Sequence, residues 1–225
     1  MRVLILIDAK NFENGLINLF KQRKEFRFID FNRINMFLLD YLKNNIQYKD
    51  CNLHHVRTYF YTGQYTDHLI KKIEKYLEKN PEEKDIVQPL IERCKREQEK
   101  QNTFFNIAKN YYYFEIKAKP LQFSYSDTKV FQKGVDVQLA VDLVDFAHKD
   151  VYDVAILLSG DIDLLESVIN AKNMGKQIIV LGDESVTAEE IKRSADMFID
   201  IRKFNEKQLN KFTHLSKYTK CYTHN

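Results

Sequence analysis

Short apolar, β-branched runs alternate along this chain with longer stretches in which apolar residues return every three or four positions. The run RVLILID (2–8) predicts a buried strand, and the stretch FENGLINLFKQR that follows carries Phe12, Leu16, Leu19 and Phe20 at helical spacing. Asp30 suits the N-cap of a second helix, FNRINMFLLDYLKNN, with Ile34, Phe37, Leu38 and Leu42 on one face. Residues 53–63 predict a strand that ends at Gly63, and residues 66–110 are helical in pattern, interrupted only at Asn80-Pro81. YYYFEIKAK (111–119) alternates as a strand stopped by Pro120, so core packing is the expectation for its three tyrosines and base stacking the alternative. A polar loop then leads to Gly134 and a helix over VDVQLAVDLVDFAH. After it come a strand at 153–158, a helix at 164–174 stopped by Gly175, a strand at 177–181, a helix at 188–194 and a short strand at 197–201.

Strands separated by helices from end to end predict an α/β fold, a parallel sheet of about five strands covered on both faces. No repeat, low-complexity tract or flexible linker divides the chain. The expectation is one domain over residues 1–205, with a helical insertion at about 64–110 and a basic tail at 206–225.

Composition narrows the setting. At 225 residues and 44% hydrophobic, the chain can bury a full core. The net charge of +3 is unevenly placed: residues 202–225 hold six Lys/Arg against one Glu, and residues 21–33 hold five against two acids. Basic segments on a near-neutral body suit a polyanionic partner, and equally a solvated tail. Residues 66–110 carry ten basic and nine acidic side chains, the mark of mixed-sign solvated helices. Their apolar stripes, Ile70, Ile73, Tyr76 and Leu77 and then Ile86, Leu90, Ile91 and Cys94, suit a partner helix, so a homodimer contact or a substrate lid are the candidate roles. Cys51, Cys94 and Cys221 form no CxxC or Cys/His pairing, which argues against structural zinc and against a disulfide framework. The longest apolar runs are too short to cross a bilayer, and a charge at Asp8 breaks any signal-peptide layout. A cytoplasmic protein without membrane contact is expected.

Candidate chemistry concentrates in acidic residues at strand ends. Ligands of open parallel sheets sit beyond the carboxyl ends of the strands, where the strand order reverses. The first strand ends in Asp8, closely followed by Lys10 and Asn11. The strand at 153–158 runs into Ser159-Gly160-Asp161-Ile162-Asp163. Should these two strands be neighbours, Asp8 and Asp161 converge. A single Asp or Ser after a strand is more often a helix cap than a catalyst. The helix after Gly134 adds Asp136 in its first turn, where the helix dipole alone favours an acid, and Asp142 on a stripe with Val135, Leu139 and Phe146, where a carboxylate needs a partner. Several carboxylates at one place repel one another unless a cation neutralises them, and an oxygen-only ligand set favours Mg²⁺ or Mn²⁺ over zinc. That chemistry points to metal-assisted phosphodiester hydrolysis. Competing constellations are weak: there is no GxxxxGK[ST] or GxGxxG, His54 and His55 face opposite sides of a strand, and Ser159 has no histidine base in its motif. Lys10 and Lys133 flank the acidic residues and suit a substrate backbone, or simply solvent.

Three blocks, LILIDAKNF (4–12), KGVDVQLAVD (133–142) and AILLSGDIDLLESVINAKNMGKQIIVLG (155–182), together resemble the NYN domains of the LabA-like group, nuclease-type relatives of PIN domains. The segment 63–110 and the C-terminal tail lie outside the resemblance. It implies a PIN-like parallel sheet and an acidic, Mg²⁺- or Mn²⁺-dependent site that cleaves RNA. Asp8, Asp136 and Asp161 fall on acidic positions of the blocks and are implied to centre the metal. Asn11 matches the Asn that accompanies the first acid. Asp142 and Asp163 also fall on acidic positions, either on the metal or one layer beyond it. Ser159, which would hydrogen-bond the loop carrying Asp161, stands with Lys10 and Lys133 on the substrate side. Ala9 stands where many relatives have Gly, and Leu164 where an aromatic residue is common. Two other readings share the same pocket: a non-catalytic nucleic-acid-binding regulator, and a phosphatase or small-nucleotide hydrolase.

Overall fold

The structure is a computed structural model that describes residues 1–215. Its elements run β1 (Arg2–Asp8), α1 (Ala9–Gln22), β2 (Arg27–Ile29), α2 (Phe31–Lys43), β3 (His54–Gln64), α3 (Asp67–Lys79), α4 (Lys84–Ala108) and β4 (Phe114–Pro120). They continue with β5 (Gln122–Ser124), β6 (Lys129–Phe131), α5 (Val135–His148), β7 (Val154–Leu158), α6 (Leu165–Asn173), β8 (Gln177–Gly182), α7 (Glu189–Ser194), β9 (Met197–Asp200), α8 (Glu206–Leu209) and β10 (Thr213–Leu215).

β1 and β7 are apolar at nearly every position because both faces of each are covered, as central parallel strands require. The six-stranded sheet has the order β4-β3-β1-β7-β8-β9, and every pairing in it is parallel. Side chains alternate across β1: Val3, Ile5 and Ile7 join one core with α1 and α2, while Leu4 and Leu6 join the other with α5 and α6. Chain order reverses between β1 and β7. β1 connects outward to β3, and β7 lies on its other side, so a crevice opens at the carboxyl ends of these two neighbours.

The helical segment forms an arm with its own small core. Leu69, Ile70 and Ile73 of α3 meet Val87, Ile91 and Cys94 of α4, and Phe123 of β5 closes the cluster. The stripes that suited a partner helix therefore pack largely on each other. Residues 121–133, expected as a polar loop, form the antiparallel hairpin β5–β6, held because Phe123 alternates into the arm's core. The tyrosines expected in a strand at 111–113 precede it instead: β4 starts at Phe114, and Tyr112 and Tyr113 are exposed in the turn, Tyr113 with φ 54°.

Residues 206–215 of the expected basic tail are folded onto the domain. α8 buries Leu209, Phe212 fills the α2 side of the core, and β10 pairs antiparallel with β2. The near-buried Arg27 reinforces this by donating to Glu25, Asn210 and Thr213. The remainder of that tail, residues 216–225, lies outside the described residues. Among the described residues no helix is long and apolar enough to cross a membrane.

Candidate active site

Three carboxylates from three elements meet at the crevice between β1 and β7. Asp8 closes β1 and caps α1: its Oδ1 accepts from the Asn11 N–H at 3.1 Å, and its Oδ2 accepts from Ser159 Oγ at 3.1 Å. Asp161 caps the single 3₁₀ turn Ile162–Leu164 by accepting from the Asp163 N–H at 3.1 Å, and its own N–H donates to Ser159 Oγ at 3.3 Å. Asp136 stands in the first turn of α5, after Gly134, whose φ of 75° is the left-handed conformation that costs glycine no Cβ strain. One oxygen of each of Asp8, Asp136 and Asp161 lies within 4.8 Å of the other two.

Asn11 and Ser159 hold the two strand ends in place. Asn11 accepts through Oδ1 from the Gly160 N–H at 2.9 Å, tying the start of α1 to the loop after β7, while Ser159 bridges Asp8 to the Asp161 backbone. Gly160 is needed here for a close approach, since a Cβ would lie 2.4 Å from Thr187 Oγ1.

The electrostatics follow from burial. Asp8 is 3% exposed, and desolvation pushes its carboxyl up to about 6, with the nearby Asp136 and Asp161 adding to the rise and the Asn11 and Ser159 hydrogen bonds opposing it. The Asp136 carboxyl is raised as well, first by burial and then by Asp161, with Lys10 acting against the rise. Mutually raised carboxyls made only of oxygen donors are what a hard divalent cation relieves. Ligands of an octahedral ion held at about 2.1 Å stand roughly 3–4 Å apart, so the observed spacing fits one shared ion after small rotamer adjustments.

The other expected residues are placed differently. Asp163 is exposed and lends its N–H to Asp161, close enough to Asp136 to contribute to its raised pKa. Asp142 does find the partner its stripe demanded, in the Tyr61 hydroxyl at 2.9 Å with Lys117 Nζ at 3.8 Å, and it is not part of the three-carboxylate cluster. Lys10 is exposed beside the cluster, and Lys133 is exposed one residue before Gly134. Tyr61→Phe should lower stability by about 1–2 kcal/mol in urea unfolding, through loss of a buried hydrogen bond to a charged acceptor, and leave divalent-ion affinity unchanged. A drop in ion affinity would instead couple Asp142 to the metal.

Glu13 was not singled out by the sequence. It sits in α1 one turn after Ala9 and Lys10, and burial, then Asp8 and Glu97, push its carboxyl up to about 7. Helical spacing from the residues after Asp8 was the available signal. Glu97 comes from α4, and no local pattern announces its approach.

Residues 2–202 match the family described as NYN domain. The chain belongs to the NYN domain family. This NYN domain is similar to an uncharacterised protein of Methanocaldococcus jannaschii, 30% identical over 94 residues that make up 38% of this chain and 39% of that protein. The chain thus spans under two-fifths of the length of that relative. It is also similar to the crystal structure of a protein of unknown function from Vibrio parahaemolyticus, with a TM-score of 0.55 and 18% identity, over 95% of this chain and 96% of that one. That likeness concerns the fold. The NYN domain and its cluster of aspartates together fit a nuclease.

Proposed function

We propose that this NYN domain, of the LabA-like group, is a metal-dependent ribonuclease that hydrolyses phosphodiester bonds of RNA in the cytoplasm, with Mg²⁺ or Mn²⁺ held by Asp8, Asp136 and Asp161. One observation carries the reading: three carboxylates from β1, α5 and the loop after β7 converge within 4.8 Å at the crevice of the sheet. When bound, the ion supplies a water of lowered pKa and stabilises charge on the phosphoryl oxygens.

The chain's own residues do the positioning. Asn11 and Ser159 lock the loops bearing Asp8 and Asp161 at a fixed separation, which preorganises the ligand set. Lys10 and Lys133 would meet phosphate oxygens of the substrate, and such contacts make binding weaken as salt rises. Asp163 acts through Asp161, whose carboxylate its N–H orients.

The test is incubation of end-labelled single-stranded RNA with pure protein and Mn²⁺ or Mg²⁺. Cleavage is expected with either ion and none with EDTA. RNA retained in complex but intact under every divalent ion would favour the non-catalytic regulator instead.

A further inference from the structure

At the start of α1 lies a groove of about 550 Å³, between the ends of β1 and β3, the arm helix α4 and the hairpin strand β6. Ala9, Lys10 and Glu13 line it, so it begins one residue from Asp8. Its volume falls in the range of small-ligand sites.

The lining combines two chemistries. Phe60 and Phe104 meet at a tilt with ring centroids 5.3 Å apart, Phe105 adjoins Phe104, and Phe131 lines the groove from β6 while 41% exposed. Among the described residues Phe131 has no ring partner. Lys10, Arg93 and Lys100 supply cations, Lys100 Nζ donating to Glu97 at 2.8 Å, and Glu13 and Glu97 supply acids. Two carboxylates disfavour a bare anion as occupant, and three cations disfavour a purely apolar one. A nucleotide within a strand answers both, because its base offers a π-face and hydrogen-bond donors while its phosphates meet the cations.

We propose that this groove is a base-binding subsite, in which an unpaired nucleobase beside the scissile phosphate stacks on the Phe104, Phe105 and Phe131 wall and the adjoining phosphates lie against Lys10, Arg93 and Lys100. The inference rests on the nucleic-acid reading of the acidic cluster, and it accounts for the arm and the hairpin, which complete the far wall of the substrate path. A base in the groove has left any duplex, so recognition there is of shape and stacking and tolerates all four bases.

The experiment is fluorescence anisotropy of a labelled single-stranded RNA oligonucleotide in EDTA, where no metal-dependent cleavage competes. Phe131→Ala and Arg93→Ala are compared with wild type, and an abasic nucleotide is scanned along the strand. Phe131→Ala is expected to weaken binding roughly tenfold to a hundredfold. One abasic position should cost the wild type a comparable factor and cost Phe131→Ala almost nothing more. Arg93→Ala should weaken binding and flatten its salt dependence. Melting temperatures establish that the variants are folded, and the abasic scan of the wild type needs no variant. Unchanged affinity in both folded variants, or a wild type indifferent to abasic nucleotides at every position, overturns the subsite and leaves the nuclease reading standing. A wild type that binds no oligonucleotide in EDTA overturns the subsite, and one that also leaves RNA intact with Mn²⁺ and with Mg²⁺ overturns both.

Discussion

Asp161→Asn is expected to reduce divalent-ion-dependent RNA cleavage by at least roughly a thousandfold, about 4 kcal/mol of transition-state stabilisation. The melting temperature should stay within about 2 °C of the wild type. The two outcomes separate because Asp161 has two roles. Its Oδ1 caps the 3₁₀ turn by accepting from the Asp163 N–H, and an Asn carbonyl oxygen accepts the same bond, since Asn and Asp cap almost equally well. The formal charge facing Asp8 and Asp136 is what Asn lacks, and the proposed ion site needs that charge while the cap does not. Rates on labelled RNA, set beside thermal melts, check both halves. Full activity in a folded variant would remove Asp161 from the site.

Asp8→Asn is expected to stabilise the metal-free protein by about 2–3 kcal/mol at pH 7.5. The folded-state pKa of Asp8 is pushed up to about 6 from the ordinary 3.8, so holding the buried carboxylate ionised costs stability. That cost is complete above pH 6, where Asp8 is charged in both states. It fades as pH falls through 6, because the native state takes up a proton first, and it is gone below about 4. The advantage of the variant should follow the same window in urea unfolding at a series of pH values in EDTA. Asn retains the α1 cap to the Asn11 N–H but loses the oxygen that accepts from Ser159 Oγ, which holds the gain at the lower end of that range. Mn²⁺ narrows the gap, since ion at a hundred times its Kd adds about 2.7 kcal/mol to a protein that binds it. Equal stability of the two proteins at every pH would contradict the burial of charge at Asp8. A site that weakens its own fold in this way is the usual trade between stability and function.

The parts of this structure that local pattern could announce are those whose neighbours in sequence are also neighbours in space. β1, β7 and β8 are apolar runs because they are central, and Asp8 and Asp161 stand out because each comes within three residues of the last apolar residue of such a run. Asp136 is visible as an acid one residue into a helix that begins at a glycine. What stayed hidden depends on distant segments. The β5–β6 hairpin has three residues per strand and a single buried side chain, Phe123, whose partners lie in α3 and α4. The β2–β10 pair joins two three-residue segments far apart in the chain, neither long enough to show alternation. Asp142 shows in the sequence only as an acid on an apolar stripe, because the Tyr61 hydroxyl that partners it comes from β3. The groove beside the site exists only because α4 crosses toward the ends of β1 and β3, so Arg93, Glu97 and Lys100 read in sequence as ordinary solvated charges on an exposed helix.

Asp8, Asp136 and Asp161 are expected to bind one divalent cation together. Mn²⁺ titration of the metal-free protein, followed by the electron paramagnetic resonance signal of the free ion, measures this directly. Wild type is expected to remove Mn²⁺ from solution, and Asp8→Asn, Asp136→Asn and Asp161→Asn each to weaken that uptake at least roughly tenfold, about 1.4 kcal/mol per lost ligand charge. Wild-type uptake that persists undiminished in all three variants, or no uptake by wild type, would contradict it.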